Sequence, residues 1–218
     1  MHRYTICLLL SLTLLPVSSF LHGESEALFT SAPRSDDGRF TNTAGDLTHG
    51  TFGVRFPFIL RRLGTYFRSG DGAPLRVAND GAFLRENALH SKPTVTWIGH
   101  ATLLVQVEHV TFLTDPTWSK RPSPVPGVGP KRFVAPGLEF DDLPPVDFVL
   151  ISHNHYDHLD LPTLRALAQR DADTVFFVPL GNGDLLRSQG ITQVRELDWG
   201  QTATYKGATI HCLPSQHW

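Results

Sequence analysis

The chain has 218 residues, of which 41% are hydrophobic and 18% charged, a composition typical of a globular protein with one or two domains. Its formal net charge of -2 at pH 7 gives no excess of basic residues, so nothing in the charge balance indicates nucleic acid as a partner. Eleven histidines are many for a chain of this length and are consistent with a metal-dependent protein.

The first residues have the layout of a secretory signal peptide. Arg3 precedes an apolar stretch at 6–15, which is followed by Pro16 and a run of small residues at 17–19. This pattern predicts that residues 1–19 are removed and that the protein is exported to the periplasm or cell envelope. The alternative is an uncleaved membrane anchor, for which the apolar run is short, because a spanning helix needs ~20 apolar residues.

Residues 20–92 are predicted to form an amino-terminal arm that is partly irregular. Its first part, 24–50, is rich in Ser, Thr, Gly, Asp and Pro and has little periodicity. The segment 51–68 then alternates aromatic residues with arginines, a pattern that suits peripheral contact with an anionic membrane surface. The alternative is an ordinary amphipathic segment that packs its aromatic side chains on the following domain and leaves its arginines solvated.

The main domain is predicted to occupy residues 93–218 and to begin with a β-meander. Three short apolar runs, 95–98, 103–107 and 110–114, are typical of strands with tight connections. His100 lies in the turn between the first two strands. It is a candidate to lie near a functional site, and an ordinary structural histidine is the alternative.

Two further features precede the central motif. Asp115 ends the third predicted strand just before Pro116, where an Asx-type turn is expected from the sequence alone. The loop 120–136 is dense in Pro and Gly, and within it Lys131 and Arg132 are candidates to bind an anionic group of a substrate. The alternative is that Lys131 and Arg132 are solvated charges on the loop.

Four potential metal ligands, His153, His155, Asp157 and His158, follow the apolar run 146–151, which suits a strand buried on both faces. Side chains two positions apart point the same way in an extended segment, so His153 and His155 can bind one ion. Asp157 and His158 fall on the following turn and can bind a second ion beside the first. Neutral imidazoles with a carboxylate are ligands of catalytic zinc or iron, whereas the alternative is a chance cluster of polar loop residues.

A helix with Asp160 as its N-cap is predicted after the motif, and further strands and a short helix follow it. The apolar face of the first helix consists of Leu161, Leu164, Leu167 and Ala168. The later elements are a strand at 174–179, a helix at 184–189 and a strand at 194–197. This alternation predicts an α/β fold with the metal motif on a strand-to-helix loop, a common place for active sites.

The H-x-H-x-D-H motif after an apolar strand resembles the metallo-β-lactamase superfamily of hydrolases. The similarity covers about residues 93–218 and is closest to the N-acylphosphatidylethanolamine-hydrolysing phospholipase D branch and its bacterial relatives. The matching segments are Trp97–Thr102, Leu113–Pro116, Gly129–Phe133, Leu143–Pro145, Ser152–Asp160, Phe177–Gly181, Glu196–Trp199 and Pro214–Trp218.

The resemblance implies an αββα sandwich and two divalent metal ions, with zinc as the expected metal. It makes His217 the third ligand of the first ion, and it makes Asp115 a residue that orients a metal-ligating histidine from outside. His100, from its position in the turn, is also expected to support the ligands from outside. In the family, the bridging aspartate and the last histidine lie beyond the residue that matches Trp218. We therefore expect the chain to comprise the first half and the start of the second half of a longer enzyme, with an incomplete second site.

The function expected from the resemblance is metal-dependent hydrolysis of a phosphodiester, of the phospholipase D type, with Asp157 as a catalytic residue. Hydrolysis of a lactone, amide or cyclic phosphate is the alternative within enzymes, because the fold does not fix the substrate. A non-catalytic, exported metal-binding protein is the alternative from another class. The sequence does not determine the oligomeric state.

Overall fold

The computed structural model describes residues 31–43, 45, 52–53, 56–57, 60–61, 77, 79–123, 125 and 131–216. The predicted signal peptide, most of the segment 51–68, and His217 therefore lie outside the described residues. The chain divides into two compact units, one of residues 50–196 and one of residues 1–49 with 197–218.

The larger unit is a mixed α/β structure around a six-stranded sheet, which agrees with the predicted fold class. Its elements, in chain order, are helix α1 (Ala82–His90), strands β1 (Thr94–Gly99), β2 (Thr102–Val107) and β3 (Val110–Thr114), a 3₁₀ turn (Phe140–Asp142), strand β4 (Phe148–Leu150), helix α2 (Leu161–Arg170), strand β5 (Val175–Pro179), helix α3 (Gly183–Ser188) and strand β6 (Val194–Leu197). The predicted meander and the later alternation of strands and helices are confirmed within one or two residues at most ends.

The strands are arranged in chain order from β1 to β6. The β1–β2 and β2–β3 pairs are antiparallel, whereas β3, β4 and β5 are parallel. Parallel strands end at the same edge of a sheet, so the loops after β3 and β4 meet there. The register pairs Leu103 with Thr114, which places the start of β2, and hence the β1–β2 turn, at this same edge.

Helix α2 packs against one face of the central strands, and their buried side chains form the core. Leu113, Val149 and Phe176 are in register on β3, β4 and β5 and are fully buried. Leu164 and Leu167 of α2 belong to the same core and are also fully buried. Burying each such side chain contributes about 1.5–3 kcal/mol, so this contact fixes where α2 begins and therefore where the loop that precedes it ends.

Helix α1 packs on the same core although it precedes Pro93, the predicted start of the main domain. Leu84 is 2% exposed, and its carbonyl oxygen accepts a hydrogen bond from the side-chain amide of buried Gln106 on β2 at 2.9 Å. The Gln106 side chain also accepts a hydrogen bond from Asn87 at 3.1 Å. The predicted domain limits at 19, 92 and 218 stay predictions.

The smaller unit contains a hairpin of strands β7 (Thr202–Tyr205) and β8 (Ala208–His211). Lys206 and Gly207 in its two-residue turn have φ angles of 47° and 82°, as a turn of type I′ requires. In the same unit the backbone N–H of Ala32 donates to Asp198 at 2.9 Å. None of the helices in the described part of the chain is long and apolar enough to cross a membrane.

Candidate metal centre

Three loops meet at the carboxyl edge of the parallel strands, and hydroxyl side chains hold them together. The hydroxyl of Thr102, at the start of β2, donates to the carbonyl of Asp115 at 2.8 Å and accepts from the backbone N–H of Thr117 at 3.1 Å. The hydroxyl of Thr117 donates to the carbonyl of Asp157 at 2.9 Å. The loop after β3 is therefore fixed both to the β1–β2 turn and to the histidine-rich loop after β4.

Asp160 fixes the other end of the histidine-rich loop. It occupies the N-cap position of α2, as predicted, but its carboxylate accepts no hydrogen bond from the helix backbone. It instead accepts from the backbone N–H and hydroxyl of Ser119, at 3.0 and 2.7 Å, and from the hydroxyl of Thr163 at 2.6 Å. The carboxylate therefore ties the loop after β3 to helix α2 rather than capping the helix.

Asp115 is the buried carboxylate that orients His158. One of its oxygens accepts from the backbone N–H of Ser152 at 2.7 Å, and the other accepts from the Ser152 hydroxyl at 2.7 Å and from Nδ1 of His158 at 2.8 Å. An ionised carboxylate only accepts hydrogen bonds, so Nδ1 of His158 carries a proton. In the neutral ring the lone pair is then on Nε2, the nitrogen available to a metal.

His153 and His155 converge as the alternation of an extended segment predicts. Nε2 of His153 lies 3.1 Å from Nδ1 of His155. Two nitrogens that each lie ~2.0–2.1 Å from one tetrahedral zinc ion are separated by roughly 3.3 Å. The observed distance therefore suits two ligands of a single ion. His217, the third ligand implied by the family resemblance, lies outside the described residues.

A second group of donors lies beside this pair. Nε2 of His100 is 3.3 Å from Nε2 of His158 and 3.3 Å from a carboxylate oxygen of Asp157, and the ligand atoms of all three residues lie within 4.8 Å of one another. The rings of His153 and His158 have centroids 4.1 Å apart, so the two groups are neighbours. His100 is predicted to support the ligands from outside. In the structure its Nε2 lies within hydrogen-bonding distance of two of them, His158 and Asp157.

The charges around His158 favour its protonated form when no metal is bound. Burial is the largest influence on the pKa of His158 and lowers it, but the hydrogen bond and charge of Asp115, together with the charge of Asp157, outweigh burial and raise the pKa above 6.5. In the protonated ring both nitrogens carry a proton, so a metal ion must displace the proton on Nε2 to bind there.

The two basic residues of the loop 120–136 differ in their surroundings. Arg132 is partly buried, and its guanidinium donates to the carbonyl of Thr117 at 2.5 Å, with one nitrogen packed over Gly99. Burial lowers the pKa of Arg132, partly opposed by the charge of Asp160. Lys131 is exposed. Arg132 thus braces the loop after β3, and substrate binding by Lys131 and Arg132 stays a prediction.

The residues that link the three loops, Thr102, Thr117 and Ser152, are absent from the sequence-based set of site residues. Each is a short hydroxyl residue at the end of a strand or in the loop that follows. This is the one signal that the sequence offers for them, and it is weak because such residues are common in loops. Their contacts depend on the strand register, which brings residues 15 to 40 positions apart into hydrogen-bond range.

The donor set fits divalent transition metals, since imidazole nitrogens and carboxylate oxygens are the usual ligands of zinc, iron and manganese in catalytic centres. By ligand type, His153 and His155 would hold one ion, and Asp157 and His158 would hold another next to it.

The chain is similar in sequence to a known family and to several known proteins. A family model described as "Beta-lactamase superfamily domain" matches residues 110–218, half of the chain. An N-acyl-phosphatidylethanolamine-hydrolyzing phospholipase D of Caenorhabditis elegans is 43% identical over 131 residues, which cover 56% of this chain and 37% of that protein. An uncharacterised protein of Mycobacterium tuberculosis is 44% identical over 151 residues, 68% of this chain and 40% of that protein.

Among solved structures, CmlA, a diiron β-hydroxylase from Streptomyces venezuelae, is 31% identical with a TM-score of 0.42, and the match covers 57% of this chain and 24% of that protein. The chain spans about two fifths of the length of the two curated relatives. The family model, the mixed α/β sheet and the H-x-H-x-D-H centre at its carboxyl edge lead to one conclusion: the chain belongs to the β-lactamase superfamily.

Proposed function

We propose that this protein is a metallo-hydrolase that cleaves a phosphodiester in a lipid similar to an N-acylphosphatidylethanolamine, in the manner of a phospholipase D. The observation that carries the proposal is the 43% identity with a protein named for that activity. Cleavage of this type breaks the ester bond between the phosphorus and the oxygen of the head-group alcohol. Water provides the new oxygen on phosphorus, and the alcohol leaves with a proton.

Several residues of the chain would have separate roles in such a reaction. Two bound divalent ions would polarise the phosphoryl oxygens and lower the pKa of a coordinated water toward ~7. Asp157, whose side chain is 41% exposed, would orient the attacking water and accept its proton as well as act as a ligand. Asp115 keeps His158 in one orientation and tautomer, so that this part of the site needs no reorganisation during turnover.

The substrate is tested by a panel that includes the competing chemistries. The protein, including any natural continuation of its reading frame, is loaded with zinc or manganese and assayed against vesicles of an N-acylphosphatidylethanolamine, a soluble aryl phosphodiester, a cyclic nucleotide, an acyl homoserine lactone and an amide. We expect turnover of the two acyclic phosphodiesters, and loss of that turnover in His155→Ala but not in His90→Asn. Turnover of the cyclic phosphate, lactone or amide alone would replace the phospholipase proposal with the corresponding hydrolase.

The same assay separates an enzyme from a non-catalytic metal-binding protein. Metal analysis of each sample shows whether the site is loaded before turnover is judged. A loaded chain that turns over none of the panel would favour an exported metal-binding protein. A chain that takes up no metal would contradict the metal centre itself.

We also propose that the segment 51–68 contacts an anionic membrane surface. Phe52, Phe56 and Leu60, four positions apart, are 78%, 47% and 52% exposed, and the two phenylalanine rings stack with centroids 5.3 Å apart. Arginines flank these side chains in the sequence, as a peripheral membrane segment requires. We expect sedimentation with phosphatidylglycerol vesicles that decreases in a Phe52→Glu/Phe56→Glu variant, and equal sedimentation of the two proteins would refute the contact.

Export is a further proposal, based on the amino-terminal sequence. The mature protein should begin near Phe20 and be found in the periplasm or cell envelope. Mass spectrometry of the amino-terminal peptide tests this directly. Recovery of an intact Met1 from the envelope fraction would instead favour an uncleaved anchor.

A further inference from the structure

Ser152, the residue before the H-x-H-x-D-H motif, forms two hydrogen bonds with one carboxylate. Its backbone N–H donates to one oxygen of Asp115 at 2.7 Å, and its hydroxyl oxygen lies 2.7 Å from the other. Asp115 itself has a φ angle of 39°, in the left-handed region, and its N–H donates to the carbonyl of Leu150 at 2.9 Å. The hydroxyls of Thr102 and Thr117 donate to its carbonyl at 2.8 and 3.3 Å. These contacts fix the carboxylate, and with it Ser152, just after β4.

The direction of the Ser152 hydroxyl proton follows from its two partners. The hydroxyl oxygen lies 2.7 Å from Oδ2 of Asp115 and 2.9 Å from Nδ1 of His153. An ionised carboxylate only accepts hydrogen bonds, so the single hydroxyl proton points to Asp115. The hydroxyl oxygen must then accept from His153, which places a proton on Nδ1 of that ring. In the neutral ring of His153 the lone pair is therefore on Nε2.

This tautomer of His153 is the one that the first metal ion needs. Nε2 of His153 faces Nδ1 of His155 at 3.1 Å, and a metal ion binds an imidazole through its lone pair. The hydroxyl of Ser152 thus presents the correct nitrogen of His153 to the ion. Asp115 does the same for His158 at the second group of donors. One carboxylate is therefore connected to both groups, directly to His158 and through a single hydroxyl to His153.

We propose that Ser152 is a positioning residue for the first metal ion, because its hydroxyl fixes the tautomer and the orientation of His153. This inference rests on the metal centre but not on the substrate proposed above. Ser152 is not a ligand itself, since its oxygen lies against Nδ1 of His153 whereas the ion would bind Nε2. Loss of such an outer partner weakens metal binding about 10–100-fold.

The competing role for Ser152 is purely structural. In that role its backbone N–H fixes the loop to Asp115, and its hydroxyl has no effect on the metal. Ser152→Ala and Ser152→Thr separate the two roles, because alanine keeps only the backbone N–H whereas threonine keeps the hydroxyl as well. Ser152 is exposed, so the added methyl group of threonine has space. Water that replaces the missing hydroxyl in Ser152→Ala does not fix the tautomer, because water can both donate to and accept from Nδ1.

The test uses the protein with any natural continuation of its reading frame, and Ser188→Ala is the matched control. Ser188 is exposed at the end of α3, where its hydroxyl donates to the carbonyl of Leu185 at 2.7 Å. Isothermal titration with zinc measures the affinity for each ion, and circular dichroism verifies the fold. Proton NMR of the cobalt(II)-loaded protein follows the Nδ1–H resonance of His153, which the paramagnetic ion shifts strongly. The rate at which this proton exchanges with water reports on its hydrogen bond to Ser152.

We expect Ser152→Ala to bind the first ion about 10–100-fold more weakly and to exchange the His153 N–H proton faster, with little change at the second ion. Ser152→Thr should restore both properties, and Ser188→Ala should match the wild type. Asp115→Asn should give the opposite pattern, because the Ser152 hydroxyl stays beside His153 while His158 loses the adjacent charge.

Wild-type affinity and unchanged proton exchange in Ser152→Ala would overturn the positioning role and leave the metal centre intact. An equal loss of affinity for the first ion in Ser152→Ala and Ser152→Thr would also overturn it, since threonine retains the hydroxyl. A wild-type protein that binds no metal would overturn the metal centre on which the role of Ser152 rests.

Discussion

The two groups of donors at the centre are assembled in different ways. His153 and His155 are two positions apart on one extended segment, and their nitrogens meet at 3.1 Å because alternate side chains point the same way. His100 and His158 are 58 positions apart, and their nitrogens meet at 3.3 Å only because β2 pairs with β3 and β3 with β4. The first pair therefore depends on local backbone geometry, whereas the second group depends on the register of the sheet.

This difference has a consequence for stability and binding. A change that disturbs the sheet edge should affect the second group more than the first, because Asp115 hydrogen-bonds His158 directly but reaches His153 only through the hydroxyl of Ser152. A change in the ligands of the first group should leave the fold largely intact. The following experiments test this separation.

The largest effect is expected when a ligand of the first group is removed. His155→Ala should abolish tight binding of the first ion, because it removes one of the two imidazoles that converge on that ion. The thermal unfolding temperature of the metal-free protein should stay close to that of the wild type, since the side chain of His155 is only partly buried. Inductively coupled plasma mass spectrometry after dialysis measures the bound metal. Unchanged metal content would show that His155 is not a ligand.

A smaller effect is expected when the carboxylate that orients His158 is neutralised. Asp115→Asn keeps the size of the side chain but removes the charge next to Nδ1 of His158. The affinity for the second ion should fall about 10–100-fold, while that for the first ion changes little. Isothermal titration with zinc measures both, and Asp141→Asn, at an exposed position in the 3₁₀ turn, is the matched control. An equal loss of affinity for both ions would mean that the two groups of donors do not behave independently.

Removing a hydroxyl that joins the loops should cost stability. Thr102 is fully buried and both donates and accepts a hydrogen bond, so Thr102→Val leaves the buried N–H of Thr117 without this partner and leaves the Asp115 carbonyl with only the 3.3 Å hydrogen bond from the Thr117 hydroxyl. We expect the free energy of unfolding to decrease by about 1–3 kcal/mol. Urea denaturation of the metal-free protein measures this, with Thr96→Val on β1, where the side chain is partly exposed, as the control. A loss no greater than that of the control would show that this link does not stabilise the edge.

The smallest effect is a dependence of stability on pH. The pKa of His158 in the folded protein is raised above 6.5, so its protonated ring stabilises the metal-free fold fully below pH 6.5, and this contribution is lost as the pH rises through the raised pKa. The difference in unfolding free energy between the wild type and Asp115→Asn should therefore be larger at acidic pH than at about pH 8.5. Zinc affinity should have the opposite trend and rise with pH, because the ion displaces the proton. A constant difference across this range would mean that Asp115 does not hold the proton of His158.

Much of the fold is predictable because its signals are local. The strands at 95–98, 103–107 and 110–114 and the helix that begins at Leu161 follow from runs of apolar residues with the period of each element, and the structure confirms them. The role of Asp160 was predicted only in part. Its position at the start of α2 is local, but the partners that its carboxylate selects, Ser119 and Thr163, depend on how the loop after β3 lies over the helix.

The sequence by itself determined the α/β class, the strand-to-helix loop with its four ligand types, and the convergence of His153 with His155, since each depends on residues within a few positions of one another. Only the tertiary structure decided that His100 reaches Asp157 and His158, that Asp115 holds His158, and that Arg132 braces the loop after β3. These contacts join residues 15 to 58 positions apart. Their formation requires the register of β1 to β4, which is set by the burial of a whole sheet face rather than by any short motif.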